Sequence, residues 1–132
     1  MTPERRYRES VNKLLLPEIY TQAMGGTLTN GTPDSYYEWH NILWVEWKWT
    51  PAQNPRLLPD SKSWALQKRW LRRAYDNGHQ VAVICGSPNR AYVFTQLRWE
   101  MRRIEDATFA FGTKSQLARW IEEKVFNQRS RK

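Results

Sequence analysis

Two apolar strand-forming segments with one basic helix between them constrain this chain more than any other feature. Ile42 to Trp49 and Val81 to Cys85 are dense in β-branched and aromatic residues. Between them, Asp60 or Ser61 supplies a helix cap and Asn77-Gly78 a stop signal. Trp64, Gln67, Leu71, Ala74 and Tyr75 form the inward stripe of that helix, and Lys62, Lys68, Arg69, Arg72 and Arg73 lie on its outer face. A strand–helix–strand order of this kind makes a crossover that sets the two strands parallel.

The rest of the chain adds elements to that unit. Thr2 caps a first helix with Pro3 at its start, and Tyr7, Val11, Leu14 and Leu15 form its apolar stripe up to Pro17. Glu4 shares that stripe, whereas Glu9 projects towards solvent. Residues 22–34 read as a glycine-rich loop with turns at Gly25-Gly26 and Asn30-Gly31. Ser35 to Trp39, the turn His40-Asn41 and Ile42 to Trp49 form a hairpin, and Pro51 to Pro59 a proline-containing loop. Ala91 to Thr95 is a further strand; residues 96–104 fit either a strand, with Leu97, Trp99 and Met101 alternating, or a helix through Leu97, Met101 and Ile104, and the strand is the expectation. A last helix opens with the capping box Thr113-x-x-Gln116 and buries Leu117, Trp120, Ile121 and Val125. The expected fold class is α/β, a small mixed central sheet flanked by helices. It forms one domain over 1–132, with a core of about 2–95, a C-terminal strand and helix over 96–128 and a basic tail at 129–132.

Composition narrows the function. The 132 residues carry 21 Lys plus Arg against 13 Asp plus Glu, a net charge of +8 and a pI near 9.9. Arginine dominates the cations and there are eight tryptophans, a pairing that points to nucleic acid, since phosphates attract the charge and rings stack on bases. The other reading is a basic domain with a tryptophan-rich core or dimer interface. The longest apolar run is Val81 to Cys85, far short of the roughly 20 residues a membrane helix needs. The start shows no secretory signal, and the lone Cys85 forms no internal disulfide, so a reducing compartment such as the cytoplasm is expected.

The chemistry-bearing residues lie on the hairpin. Asp34 follows Pro33, and Glu46 and Lys48 follow twelve and fourteen positions later, giving Pro-Asp-x11-Glu-x-Lys. A hairpin of that length brings Asp34 beside Glu46 at one sheet end. Two adjacent carboxylates repel unless a cation joins them, and an oxygen-lined divalent ion such as Mg²⁺ or Mn²⁺ resolves the conflict. Lys48, on the same face, is placed to orient water or to stabilise charge on an attacked phosphate. Taken singly, each has a plainer reading: Asp34 as a turn aspartate after proline, Glu46 and Lys48 as cross-strand charges, Glu4 as a first-turn acid, Gln67 as an amide satisfying the core.

Taken together they resemble the VRR-NUC family of the PD-(D/E)xK nuclease superfamily. The resemblance spans about residues 2–86: Thr2-Pro3-Glu4 opening a helix, Gly31-x-Pro33-Asp34, Glu46-Trp47-Lys48, Gln67 on the next helix, then Gly78 and Val81 to Ile84. Trp47 departs from the small aliphatic residue frequent at that position, and the loop from Trp49 to Asp60 is long. The resemblance implies a restriction-endonuclease-like core and a Mg²⁺- or Mn²⁺-dependent endonuclease acting on DNA. Asp34, Glu46, Lys48 and Gln67 would be catalytic, and Glu4, Asp34, Glu46 and the Trp47 carbonyl would hold the metal. It also implies a homodimer, branched or Holliday-junction-like substrates, and, for the phage-encoded members, the host cytoplasm. The cations on the central helix, Lys62, Lys68, Arg69, Arg72 and Arg73, are candidates for DNA contact. A non-catalytic DNA-binding or dimerisation protein and an RNA-directed nuclease are the alternatives.

Overall fold

The computed structural model describes residues 2–24, 32–51, 62–101 and 103–127, the side chain of Lys62 excepted. The expected turns at Gly25-Gly26 and Asn30-Gly31, the loop beyond Pro51, the caps Asp60 and Ser61, and the basic tail lie outside these residues. The elements are α1 (Pro3–Asn12), β1 (Tyr20–Ala23), β2 (Ser35–Glu38), β3 (Ile42–Trp49), α2 (Lys62–Asp76), β4 (Gln80–Gly86), β5 (Ala91–Phe94), β6 (Phe109–Phe111) and α3 (Lys114–Phe126). All six strands form one sheet in sequential order. Among the described residues only β3 and β4 pair in parallel, joined through α2 as a helix between two strands of one sheet requires. The other neighbours are antiparallel.

Alternation along β3 and β4 divides the core. Leu43, Val45 and Trp47, with Ala82 and Ile84, meet Tyr7 and Val11 of α1 and Leu117, Trp120, Ile121 and Val125 of α3. On the other face, Val81, Val83 and Cys85 meet Trp64, Leu71 and Ala74 of α2, together with Phe94 and Trp99. Because β4 is covered on both faces, it reads as an unbroken apolar run rather than an alternating one. No helix among the described residues is long and apolar enough to cross a membrane.

The ends of the helices follow their caps. The Thr2 side chain accepts from Arg5 N–H, and both halves of the Thr113–Gln116 capping box are formed. The left-handed conformation of Gly78 (φ 90°) follows the end of α2.

Three expectations are corrected. α1 stops at Asn12, so Leu14 leaves the apolar stripe and stands 40% exposed. Part of the expected glycine-rich loop is strand β1, held by its ladder to β2 rather than by any apolar pattern of its own. The described residues of 96–104 form no strand: Gln96 and Leu97 take positive φ of 54° and 68°, and short 3₁₀ turns follow at Arg98–Glu100 and Ile104–Asp106. That reversal buries Trp99 and turns Met101 outward, and the sixth strand falls at Phe109–Phe111 instead.

Candidate active site

The β2–β3 register pairs Ser35 with Val45, and one step further along it sets Asp34 opposite Glu46. The Asp34 backbone N–H donates to Glu46 Oε1 at 3.2 Å, and the Trp47 N–H donates to Asp34 Oδ2 at 3.0 Å. Glu46 and Lys48 share the α2 face of β3, where Lys48 Nζ lies 3.1 Å from Glu46 Oε2. Gln67 of α2 completes the contact, its Oε1 accepting from Lys48 Nζ at 2.9 Å. The ammonium also sits 4.7 Å from the centre of the Trp64 ring. This chain of contacts accounts for an amide on the inward stripe of α2.

Neither charge of the Glu-x-Lys pair faces open water. Glu46 is 1% exposed and Lys48 half-buried, which removes the reading of a solvated cross-strand pattern. Burial pushes the Glu46 carboxyl up to about 8; Asp34 and Glu4 add to the rise and Lys48 opposes it. Glu4, at the start of α1, is raised to about 7, first by burial and then by Asp34, with Lys48 and Arg8 pulling it down. Three carboxylates and one lysine therefore share a single electrostatic environment. Glu9 is elsewhere, paired with Arg5 at 3.0 Å on the outer side of α1.

Trp47 is accommodated because alternation sends its ring away from the site. It packs edge-on to Tyr7 on the opposite face, with Nε1 donating to Ser35 Oγ at 3.1 Å. In an extended strand the N–H and C=O of one residue point to the same side, so the Trp47 carbonyl lies on the Asp34 side of β3.

The site offers hard carboxyl and carbonyl oxygen donors, the donor chemistry that suits Mg²⁺ or Mn²⁺, and the raised Glu46 and Glu4 carboxyls would ionise as such an ion binds. Among the described residues, no group of three or more His, Cys, Asp or Glu side chains is placed to hold an ion. A metal here would rest on Asp34, Glu46, the Trp47 carbonyl and water, with Glu4 supplying charge from further off.

Lys68, Arg69, Arg72 and Arg73 of α2 are not part of this cluster. Arg69, Arg72 and Arg73 are exposed on its outer face, Arg72 lies 3.7 Å from Asp76, and Lys68 is 3.9 Å from Glu100. They border a solvent-open groove of about 830 Å³. Two neighbours of the site escaped the sequence reading. Arg8 faces Glu4, a relation visible in their i, i+4 spacing. Cys85 is the register partner of Lys48, and burial raises its thiol to about 12, so it remains protonated and inert. No protein-family model matches the chain, and no curated protein matches its sequence.

Proposed function

We propose that this protein is a divalent-metal-dependent endonuclease that hydrolyses DNA phosphodiester bonds on a restriction-endonuclease-like core of the VRR-NUC type. The observation that carries the reading is the convergence of Asp34, Glu46, Lys48 and Gln67 at one end of a mixed sheet. A core position filled by an ionisable Glu46 costs stability, and its pairing with a lysine and a second carboxylate fits a site built for charge chemistry better than a packing role.

Asp34, Glu46 and the Trp47 carbonyl would hold Mg²⁺ or Mn²⁺. When bound, such an ion supplies positive charge at the phosphate and acidifies water. Lys48 donates hydrogen bonds and orients the attacking water against the phosphate; Gln67 fixes the Lys48 rotamer. Arg69, Arg72, Arg73 and Lys68, with Lys62, supply long-range attraction for the DNA backbone rather than contact with the scissile bond.

The tryptophan excess does not by itself call for a dimer, since Trp47, Trp64, Trp99 and Trp120 are buried within one copy. Support for a homodimer comes instead from exposed Leu14, Leu16, Ile42 and Phe126. The reading is tested by incubating the protein with linear, nicked, flapped and four-way DNA, and with matching RNA, in Mg²⁺ and in EDTA. Metal-dependent internal cleavage of the branched DNA is expected. Absence of metal-dependent cleavage on every substrate overturns it.

A further inference from the structure

Beyond the carboxylate cluster, the same face of the sheet is paved with aromatic rings. The register puts Tyr20 and Gln22 of β1, Tyr36 of β2 and Trp44 of β3 on the side that carries Asp34 and Glu46. Ring centres are 6.0 Å apart for Tyr20 and Tyr36, 5.1 Å for Tyr36 and Trp44, and 5.3 Å for Trp44 and Trp70 of α2. The row thus crosses three strands and ends on the helix that supplies Gln67. Trp44 stands two residues from Glu46, about 7 Å along the strand.

The row is accessible and held in place. Tyr20 is 54% exposed, and Tyr36, Trp44 and Trp70 are half-buried. Successive planes are tilted by 46°, 52° and 63°, so the rings do not cover one another face to face. The Tyr20 hydroxyl donates to Gln22 Oε1 at 2.9 Å, which orients an outward ring without burying it. Trp44 also borders a cleft of about 480 Å³ with Ile42, His40 and His79. On α2, Leu66 and Arg73 lie at i−4 and i+3 from Trp70, placing an exposed apolar group and a cation beside the row.

We propose that this row is a stacking platform for unpaired nucleobases, so that the substrate class of the enzyme is nucleic acid with a single-stranded segment at the cutting site. The proposal rests on the nuclease reading for its link to cleavage, but not for binding. Accessible rings suit sequence-tolerant recognition of single strands, because every base has a π-face; Arg73 adds a cation beside the row, and Glu38, the register partner of Tyr20, adds a carboxylate at its far end. Bases inside an intact duplex keep those faces stacked on each other and have none to offer. A second copy of the chain is the less fitting occupant, since hydroxyls, Gln22 and Arg73 interrupt the apolar surface that a dimer core needs.

The test is fluorescence anisotropy in EDTA, where no cleavage occurs, with three labelled probes of equal length: an oligothymidylate, an abasic oligomer that keeps the phosphates, and a duplex. Wild-type protein is expected to bind the oligothymidylate at least tenfold more tightly than the abasic oligomer. Tyr20→Ala and Tyr36→Leu should each cost about tenfold on the oligothymidylate and leave the other two probes unchanged, and Tyr20→Phe should bind as wild type. Equal affinity for thymidylate and abasic probes overturns the platform. So does a parallel loss on all three probes, or a dimer that dissociates in the Tyr20→Ala variant by light scattering. A chain that shows the stacking pattern yet cuts nothing in Mg²⁺ upholds the platform and removes the nuclease. One that cuts DNA while both ring variants bind as wild type removes the platform alone.

Discussion

The Glu46 carboxylate accepts a hydrogen bond from the backbone N–H of Asp34 at 3.2 Å while its other oxygen meets Lys48 at 3.1 Å. A side chain buried in the sheet is thereby tied both to the start of β2 and to the end of β3. The same arrangement that orients Glu46 also forces its charge against Asp34, and the consequences are measurable.

Without metal, the protein should lose stability as the pH rises from about 5 to 8. Glu46 and Glu4 ionise near 4.5 when unfolded, but at about 8 and about 7 when folded. Between those values the folded state holds more protons than the unfolded one, so stability falls as pH rises through this window, and the penalty is complete above about 8. Thermal melting from pH 5 to 9 should show Tm declining. Glu46→Gln should flatten the decline and melt a few degrees above wild type at pH 8. Added Mg²⁺ should raise the wild-type Tm at pH 8 and leave that of Glu46→Gln nearly unmoved.

Lys48→Met keeps the length of the side chain and removes the cation. Lys48 is the group that holds the Glu46 pKa down, so the variant should stay folded with Glu46 protonated to a still higher pH. Turnover should fall by about a hundredfold or more, the scale of a lost proton-handling or charge-stabilising group. Carbon NMR of the glutamate carboxyls reads the first effect and a cleavage assay the second. An unchanged Glu46 titration contradicts the pairing.

Glu4 and Glu9 lie on one helix, but Glu4 senses Asp34 and Lys48 while Glu9 pairs with Arg5. Glu4→Gln should slow metal-dependent cleavage at least tenfold, equivalent to about 1.4 kcal/mol of transition-state stabilisation. Glu9→Gln should leave the rate nearly unchanged. Parallel rate measurements on both variants, with circular dichroism to check folding, decide the matter. Equal small effects would make Glu4 only a first-turn acid.

Gly86 is needed for the seat of α1. A Cβ added there would meet Tyr7 ring carbons at 2.6, 2.8 and 2.9 Å. Gly86→Ala should therefore destabilise the protein by about 1–3 kcal/mol, the usual cost of overpacking, and shift the helix that carries Glu4. Urea denaturation should show the loss, and Tyr7→Leu in the same chain should recover much of it. A neutral Gly86→Ala would show that Tyr7 has space to move.

The sequence made the crossover and the carboxylate–lysine pairing legible because both follow from short-range patterns. Strand-forming segments at 42–49 and 81–85, a helix between them and the period of two along β3 fix the register that joins Asp34 to Glu46. Gln67 announced itself as a polar residue on an apolar stripe. What stayed hidden depends on tertiary context. β1 has an exposed, polar sequence and is a strand only because β2 offers it hydrogen bonds. Residues 96–104 alternate like a strand, yet left-handed Gln96 and Leu97 reverse the chain before alternation can act. The aromatic row joins residues 20, 36, 44 and 70, far apart in the chain, and only the sheet register brings them together.

The most direct test is metal-dependent cleavage of a flapped or four-way DNA by wild type, Asp34→Ala and Glu46→Ala, with binding to the same DNA measured in EDTA. Wild type should cut in Mg²⁺ and not in EDTA. Both variants should lose cleavage while binding the DNA at least as well as wild type, because neither residue belongs to the cationic face of α2 and the loss of Asp34 removes a negative charge from the site. Wild-type cleavage by either variant in Mg²⁺ would contradict the assignment of the site.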